Sequence, residues 1–282
     1  MISNDYLMAY FLQFNLEKQV RAYVNTTTNE EVTMSELINS AVNYGLSQAV
    51  QSSLSQDARY DMIANNLANV ETPGFKGNMM SFDEALDEVV TTDFTDGQTR
   101  HTGNVFDVSV NNGMFFTVDT PGGIRYTRNG GFTLNAEGTL VSSNGHPIMG
   151  QNGPITINGN NVVINEAGDV MVDGQNIDTL KIVNFGSNNI DDGWIFGEEG
   201  SRLEDLKKEG TSYFRYEGEN QTLPQADNVK VSQGTLEQSN VSTMNQMIRL
   251  IETQRSFESY HKIIRAFMET DNKAVTDVGR LA

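Results

Sequence analysis

The stretch that decides the fold is Asn65-Asn66-Leu67-Ala68-Asn69-Val70-Glu71-Thr72-Pro73-Gly74-Phe75-Lys76. Upstream of it, apolar residues recur every three or four positions, which is typical of an amphipathic helix. Asn69 and Gly74 can end a helix and reverse the chain, Pro73 prevents the helix from continuing, and Phe75 can anchor the turn on an apolar surface. The stretch therefore predicts the end of a long helix and a turn into a different kind of structure.

Upstream, the pattern predicts a helix that begins at Met34, where Ser35 can act as a cap, and continues to Val70. Its apolar positions are 42, 46, 49, 60, 63, 67 and 70. Residues 1–33 fall outside this pattern and are interpreted as an extension or linker. Their apolar run, Tyr6 to Phe14, is shorter than the roughly 20 residues that span a bilayer, and it lacks the flanks of a secretory signal.

The C-terminal end shows the helical pattern more strongly. Apolar residues occupy two heptad positions, and the only exceptions are Asp271 at the first and Thr253 at the second. The first position holds Leu250, Phe257, Ile264 and Val278, and the second holds Tyr260, Phe267, Ala274 and Leu281. An apolar face continues upstream through Val241, Met244, Met247, Ile248 and Ile251. We expect this helix to begin near Ser239 or Asn240, either of which could cap it, and to run almost to the C-terminus.

Between the two ends, the apolar residues alternate with polar ones, as in residues 105–110, 169–172 and 179–183, and alternation predicts strands. Twenty of the 25 glycines lie between residues 96 and 225, and five of them follow an asparagine: Gly113, Gly130, Gly145, Gly153 and Gly159. Asn-Gly pairs favour hairpin turns. Residues 187–225 fit neither period well, apart from a possible short helix at Ser201 to Lys208.

These patterns predict an α+β protein whose N- and C-terminal helices pair as a coiled-coil-like core beside a central all-β domain of short antiparallel strands. The expected division is an extension at 1–33, the helix with its turn and connector at 34–95, the β-rich domain at 96–225, and the C-terminal helical segment at 226–282. Apolar burial on one helix barely offsets its ordering cost, so we expect both ends to be largely disordered alone and to fold on packing. Periodicity leaves open whether the covering surface belongs to the same chain or to other chains.

Composition excludes several classes of function. Acidic residues outnumber basic ones by 37 to 19, and the formal charge of −18 would repel a nucleic-acid backbone and oppose binding to anionic lipid. The chain has no cysteine, which excludes disulfides, thiolate metal sites and cysteine nucleophiles.

No pattern in the sequence predicts catalysis, a cofactor or a metal. His101, His146 and His261 are far apart and are interpreted as surface or interface residues. Asp169 and Asp173 flank a strand and are interpreted as a hairpin edge rather than a calcium loop. The remote alternatives are a glycan hydrolase with paired carboxylates and an adhesive or carbohydrate-binding β module.

Three parts of the chain resemble one family. Residues 65–76 closely resemble the N-terminal signature of flagellar rod and hook proteins. Residues 102–108, 113–116, 126–128 and 138–140 resemble the β domain that these proteins share, and residues 234–241, 247–248 and 254–258 resemble their C-terminal helix. The resemblance covers most of residues 34–282, whereas residues 1–33 depart from it, because family members begin close to where Met34 stands.

The resemblance implies a structural subunit of the bacterial flagellar basal-body rod. Such a subunit polymerises through its terminal helices, with other rod subunits and with itself, into the helical drive shaft for motility that crosses the periplasm. It implies export by the flagellar type III apparatus without a cleaved signal peptide, no lipid insertion and no enzymatic activity. The short passage between Lys76 and Gly97, and the length counted from Met34, favour the proximal rod protein over a distal rod or hook subunit.

The resemblance also implies two sets of assembly residues. The signature set is Asn65, Asn66, Leu67, Ala68, Asn69, Thr72, Gly74 and Phe75. The interface set on the C-terminal helix is Leu250, Phe257, Tyr260, Ile264, Phe267, Val278 and Leu281.

Overall fold

The computed structural model describes residues 34–82, 88–111, 113–187, 195–196, 203–218, 223, 225–226 and 228–278. Within these residues, two long helices, α1 (Met34–Ala68) and α2 (Thr243–Val278), flank a region of short strands. Every registered strand pair is antiparallel. The prediction of an α+β protein with a central antiparallel β region is therefore confirmed.

The strands are numbered along the chain, with one short 3-10 turn at Leu203–Asp205. They are β1 (Asn78–Phe82), β2 (Glu88–Thr92), β3 (Thr99–His101), β4 (Val108–Val110), β5 (Met114–Thr120), β6 (Gly123–Thr127), β7 (Thr133–Leu134), β8 (Leu140–Val141), β9 (Val162–Ile164), β10 (Asp169–Val172), β11 (Gln175–Thr179), β12 (Ile182–Asn184), β13 (Gly186–Ser187), β14 (Ile195–Phe196), β15 (Leu206–Glu209), β16 (Tyr213–Tyr216), β17 (Val231–Gln233) and β18 (Thr235–Glu237).

A five-stranded sheet in the order β12-β5-β6-β16-β15 organises the core, and both of its faces are covered. Phe116 and Val118 on β5 belong to one buried apolar cluster, whereas the adjacent Phe115 belongs to a second cluster with Phe185 and Phe214. Successive side chains of a strand point to opposite faces, so neighbouring residues of β5 enter different clusters. The sheet is therefore the partition between two cores.

Smaller sheets complete the β region. The order β11-β10-β9 forms one of three strands, and its β10–β11 hairpin turns at Asp173 and Gly174, both with positive φ (50° and 83°). This geometry matches the predicted hairpin edge. The pairs β17–β4 and β18–β3 bring residues 231–237 beside residues 99–110, and β1 pairs with β2. Strands thus also lie outside the predicted span 96–225, because long-range pairing is not visible as local alternation.

Several local predictions require correction. The predicted short helix at 201–208 is wrong, because Leu206–Glu209 forms β15 and pairs with β16. Three of the five glycines that follow asparagine have a positive φ, at Gly113, Gly145 and Gly153. At Gly130 the φ is ordinary, but a Cβ would lie 1.6 Å from the Val108 carbonyl oxygen, so close packing is what requires glycine there.

The helix ends also differ from the prediction. Helix α1 ends at Ala68, and α2 begins at Thr243 rather than near Ser239 or Asn240. The Ser242 hydroxyl accepts a hydrogen bond from the Asn245 amide (3.5 Å), and the Ser242 carbonyl accepts one from Gln246 (3.0 Å), so Ser242 caps the helix.

The apolar faces of the helices were only partly predicted. On α1, Ala49 and Ile63 are buried, but Tyr60 is exposed. On α2, the residues of the predicted upstream apolar face, Met244, Met247, Ile248 and Ile251, are all at least half exposed, at 74%, 50%, 51% and 52%.

The chain divides into two compact units. Of the described residues, one unit contains 34–58 with 252–278, and the other contains Arg59–Ile251. Neither of the described helices has a stretch long and apolar enough to span a membrane.

Candidate functional site

The turn after α1 is held by its own polar side chains. The Asn69 side chain donates to the Asn65 carbonyl (2.9 Å) and accepts from the Thr72 hydroxyl (3.3 Å). The Phe75 amide then donates to the Thr72 carbonyl (3.2 Å). These bonds occupy groups that the end of a helix leaves without partners, so the sequence of the turn determines where α1 stops.

Gly74 brings the turn against the β region. Its φ is +65°, and its amide donates to the Glu237 carbonyl at 2.8 Å. A Cβ at this position would lie 2.4 Å from the Arg128 carbonyl carbon and from the Asn129 nitrogen. Glycine is therefore required here for two reasons: the positive φ angle and the close approach of residues 128–129.

Asn66 joins the last turn of α1 to β1. It is almost fully buried, its Nδ2 donates to the Asn78 carbonyl (2.7 Å), and its Oδ1 accepts from the Asn78 amide (2.8 Å). The side-chain amide thus pairs with a backbone peptide as a neighbouring strand would. This two-way bond fixes the angle between the end of α1 and the strand that follows.

Phe75 is the apolar anchor that the sequence predicted. Its ring is 1% exposed, and the Lys208 ammonium lies 3.7 Å from the ring centroid. The Lys208 ammonium also donates to the Lys76 carbonyl (2.6 Å) and to Asn78 Oδ1 (3.2 Å). Burial lowers the pKa of Lys208 to about 8. Strand β15 is therefore attached to the turn through one lysine.

Directly after the anchor lies a group of four charges, Lys76, Asp96, Arg128 and Glu237, which we call the ion cluster; Asp96 is exposed, and the other three are buried. The Lys76 ammonium lies 2.9 Å from Glu237 Oε1, and Arg128 Nε donates to Glu237 Oε2 at 2.8 Å. Asp96 Oδ1 accepts from both cations, at 3.4 Å from Lys76 and 3.0 Å from Arg128. Two cations and one carboxylate therefore pair inside the fold, and the exposed Asp96 supplies the second negative charge from the surface.

The remaining hydrogen-bonding capacity of the ion cluster is also used. Arg128 Nη1 donates to the carbonyls of Asn111 (2.7 Å) and Met114 (2.6 Å). Lys76 donates to the Thr95 carbonyl (2.7 Å), and Glu237 Oε1 accepts from the Gly97 amide (2.9 Å). Such complete satisfaction is what makes buried charges tolerable.

Electrostatics keep the central carboxylate ionised. Burial by itself would raise the pKa of Glu237, but the charges of Arg128 and Lys76 and the Gly97 amide outweigh it, so its pKa lies below the usual value. Burial also lowers the pKa of Lys76 below its ordinary value, against the opposing attraction of Glu237. Glu237 is thus the shared counter-ion of two cations.

Asn240 connects the segment before α2 to the same place. Its Oδ1 accepts from the Gly77 amide (2.8 Å), and its Nδ2 donates to the carbonyls of Asp93 (2.8 Å) and Thr95 (3.1 Å). The Asn240 amide donates to the Phe75 carbonyl at 3.4 Å. The sequence suggested Asn240 as a possible cap of α2. Its side chain is bound here instead, which explains why it does not cap the helix.

The structure brings together only part of the predicted signature set. Asn66, Gly74 and Phe75 are buried at this junction, and Leu67, Asn69 and Thr72 are half-buried. The side chains of Asn65 and Ala68 are exposed. The residues that bind one another most extensively, the ion cluster and Asn240, were not in the predicted set. The one available signal was that Lys76, Arg128, Glu237 and Asn240 all stand in the stretches that carry the family resemblance.

The predicted interface residues of α2 form one face as far as the description reaches. Phe257, Tyr260, Ile264 and Phe267 are half-buried in the unit that contains 34–58 and 252–278, and Leu250 is half-buried in the other. Val278 is the last residue of α2, and nothing is described of its side chain. Leu281 lies outside the described residues.

The hydrogen bonds and ion pairs of the junction hold separate segments of the chain together. Within the described ranges, no group of three or more histidine, aspartate or glutamate side chains is arranged to hold a metal ion. His101 is exposed, and His146 and His261 are half-buried, which agrees with their interpretation as surface or interface residues. What the junction does is join α1, the β region and the segment that leads into α2.

Comparison with protein families gives three matches along the chain. The flagella basal body rod protein family matches residues 54–76. The D1 domain of the flagellar hook protein FlgE/F/G family matches residues 109–172, and the C-terminal family of flagellar basal body rod FlgEFG proteins matches residues 232–276.

Individual relatives extend this similarity over most of the chain. The flagellar basal-body rod protein FlgF of Caulobacter vibrioides is 31% identical over 239 residues, which cover 78% of this chain and 92% of the relative. The flagellar basal-body rod protein FlgG of Buchnera aphidicola subsp. Acyrthosiphon pisum is 30% identical over 245 residues, covering 74% and 90%. The flagellar hook protein FlgE of Salmonella typhimurium is 39% identical over 115 residues, covering 37% and 28%.

Proposed function

The chain belongs to the flagellar basal-body rod protein family and is a structural subunit of the rod and hook axis, and from this premise we propose that it polymerises through α1 and α2 into the proximal rod. Its partners in the proposal are other axial subunits and further copies of itself. The contacts repeat head to tail without closing, as a helical polymer requires.

The observation that carries this proposal is the exposed apolar face at the start of α2. Met244, Met247, Ile248 and Ile251 lie three, four and seven positions apart, so they share one side of the helix, and each is at least half exposed. The half-buried residues Leu250 and Phe257 lie along one flank of this face rather than at its centre. A contiguous apolar helix face in water marks a contact surface, and neighbouring subunits would cover it.

Pairing of the two helices is supported by contacts within the unit of residues 34–58 and 252–278. Ala49 and Ser53 on α1 and Thr253 on α2 are buried, although they are far from any sheet in sequence. A Cβ at Gly45 would lie 2.9 Å from Phe267 Cζ, so the glycine leaves room for the ring. Close packing of a ring against a glycine on the other helix favours the proposed coiled-coil-like core.

The proximal position is supported by the passage after the turn. Only 20 residues lie between Lys76 and Gly97, and they include the antiparallel strands β1 and β2, so this passage carries no longer insertion. Sequence identity does not favour one of these rod proteins over the other, because the FlgF and FlgG relatives are 31% and 30% identical to the chain. The alternative is a position in the distal rod or hook. The 39% identity to part of the hook protein FlgE supports this alternative.

Other parts of the proposal follow from family membership. We propose export by the flagellar type III apparatus without a cleaved signal peptide, a location in the rod across the periplasm, no enzymatic activity, and ordering of both terminal helices on assembly. The boundaries at 95/96 and 225/226 are proposed as functional divisions between helical ends and β domain, although β17 and β18 lie beyond the second.

The first experiment tests the exposed face of α2. Ile248→Lys introduces a charge into the apolar face, and Asn245→Lys introduces the same charge at an exposed polar position of the same helix. We expect the first variant to lose incorporation into basal bodies and swimming motility, and the second to retain both. Equal incorporation of the two variants would contradict the proposed contact surface.

The second experiment tests the position along the axis. A cryo-electron map of purified basal bodies that contain this chain would identify its layer by tracing the β region. If the density of this chain lies next to the export gate, the map agrees with the proximal position. If it lies in the distal rod or hook, the proposal of a proximal position is wrong.

A further inference from the structure

We propose that the ion cluster is a positioning device that fixes the directions in which the last turns of α1 and the first turns of α2 leave the β region. Lys76, Arg128 and Glu237 act here through the backbone segments that carry them, since none of them need contact a neighbouring subunit. The inference rests on the proposed function, because the helix directions determine which neighbours a subunit can reach.

The position of the cluster in the chain supports this role. Lys76 follows the turn that ends α1, and Glu237 is the last residue of β18, shortly before α2. Lys76 and Glu237 are 161 positions apart in sequence, yet their charged atoms lie 2.9 Å apart. Two hydrogen bonds from backbone amides flank the ion pair: the Gly74 amide donates to the Glu237 carbonyl, and the Gly77 amide donates to the side-chain Oδ1 of Asn240, both at 2.8 Å. The segment that follows α1 and the segment that precedes α2 are therefore joined at the Glu237 carboxylate.

Burial argues that the cluster supplies geometry rather than stability. The side chains of Lys76, Arg128 and Glu237 are 1%, 2% and 4% exposed. Desolvating such charges costs about as much as their pairing returns, and apolar replacements of similar volume are often neutral or stabilising. The buried ion cluster is then better explained by its specificity, because its charges can pair in only one arrangement of the backbone segments that carry them.

The directional bonds of Arg128 show how strict that demand is. Its guanidinium is bound at the same time to Glu237, Asp96 and the carbonyls of Asn111 and Met114, at 2.6–3.0 Å. A planar fork with fixed donor directions cannot satisfy these partners after a slide or rotation of β18. Apolar side chains at the same place would tolerate such shifts, because dispersion contacts have little directionality.

The same sheet contains a matched control. Arg125 on β6 pairs with Glu209 on β15, but the Glu209 side chain is 54% exposed. The hydrogen bonds of Arg125 go to Glu209 and to the carbonyls of Gly122 and Ile124, so replacing this pair removes one arginine and one glutamate without removing a bond of the ion cluster.

The test measures helix direction separately from stability. The test variant carries Lys76→Met, Arg128→Met and Glu237→Leu, and the control carries Arg125→Met with Glu209→Gln. The chain has no cysteine, so spin labels can be placed at introduced cysteines alone. Exposed sites for them are Ala64 on α1, Asn245 on α2 and Glu137 in the β region. Distance distributions from Glu137 to each helix are recorded on the full-length chain, together with thermal unfolding and incorporation into basal bodies.

We expect the test variant to unfold at a temperature close to that of the parent, while both distance distributions broaden and incorporation is lost. The control should match the parent in all three measurements. Narrow, parent-like distributions in a folded test variant would overturn the positioning role. Broad distributions with parent-like incorporation would overturn its link to assembly.

Two additions keep the outcomes distinct. If the test variant does not fold, Lys76→Met with Glu237→Gln retains the bonds from Arg128 to the backbone, and the same distances decide the question. If the unaltered parent is absent from purified basal bodies, the proposed function fails, whereas the distance measurements still judge the positioning role.

Discussion

Replacement of Gly74 by alanine separates two demands that the turn makes on this position. Gly74 has a φ of +65°, and a Cβ there would lie 2.4 Å from the Arg128 carbonyl carbon. Gly145 has a φ of +81°, but a Cβ there would meet nothing within 4 Å. Gly145→Ala therefore suffers only the backbone strain, and Gly74→Ala suffers the strain and the collision.

The expected magnitudes differ clearly. An alanine in the left-handed region costs about 1–2 kcal/mol, and both variants should lose this amount. The collision at Gly74 involves backbone atoms, which cannot rotate away, so the turn must move. This movement breaks the hydrogen bond from the Gly74 amide to the Glu237 carbonyl and distorts the ion cluster. Loss of a buried hydrogen-bonded charge network adds about 3 kcal/mol or more. We therefore expect Gly74→Ala to be destabilised by about 4–5 kcal/mol in total.

Guanidinium-induced unfolding of the full-length chain, followed by the near-ultraviolet circular dichroism of the β region, measures both variants. A difference of about 3 kcal/mol corresponds to a shift of roughly 6–12 °C in a parallel thermal melt. If the two variants lose the same stability to within about 0.5 kcal/mol, the contact between the turn and residues 128–129 carries no energy and the account of the junction is wrong.

Three further predictions concern charged and polar groups. Glu237→Gln should cost about 3–5 kcal/mol in denaturant unfolding, because it leaves Lys76 and Arg128 without their shared counter-ion, and a loss under about 1 kcal/mol would contradict this. The pKa of Lys208 is about 8 in the fold and ordinarily 10.5, so the unfolded chain binds more protons between these values. Its contribution to stability should therefore rise with pH from about 8 to 10.5, and Lys208→Met should remove that slope from thermal melts of the parent. Gln246→Met should stabilise the chain by about 1 kcal/mol in the same assay, because Gln246 Oε1 is buried without a hydrogen-bond partner.

Local periodicity predicted the helices well, because a long helix repeats one rule many times. The half-buried face at Phe257, Tyr260, Ile264 and Phe267 follows directly from the heptad pattern. At the start of α2, Met244 and Ile248 continue the apolar pattern, but they face solvent. Hydrophobicity shows that a residue favours contact, and it does not show whether the partner lies in the same chain.

The signature turn was predicted because its chemistry is local: Asn69, Thr72 and Gly74 act within a few residues of one another. The β pairs that bring residues 231–237 beside residues 99–110 were missed, since strand pairing at that separation leaves no short-range trace. Glu237 illustrates the same limit. Nothing in its immediate sequence distinguishes it from a solvated glutamate, and only the fold places Lys76 and Arg128 around it.

The ion cluster also gives a physical reading of the three separate family matches. Lys76 is the last residue of the first matched range, Arg128 lies in the second, and Glu237 lies in the third. Each range thus supplies one charge to a single buried site, and the two cations there share the Glu237 carboxylate as their buried counter-ion. The chain between the ranges can vary in length and sequence provided that it returns these three side chains to the same point. The turn after α1 therefore does more than end a helix, because it is one of three parts of the site from which both helices depart.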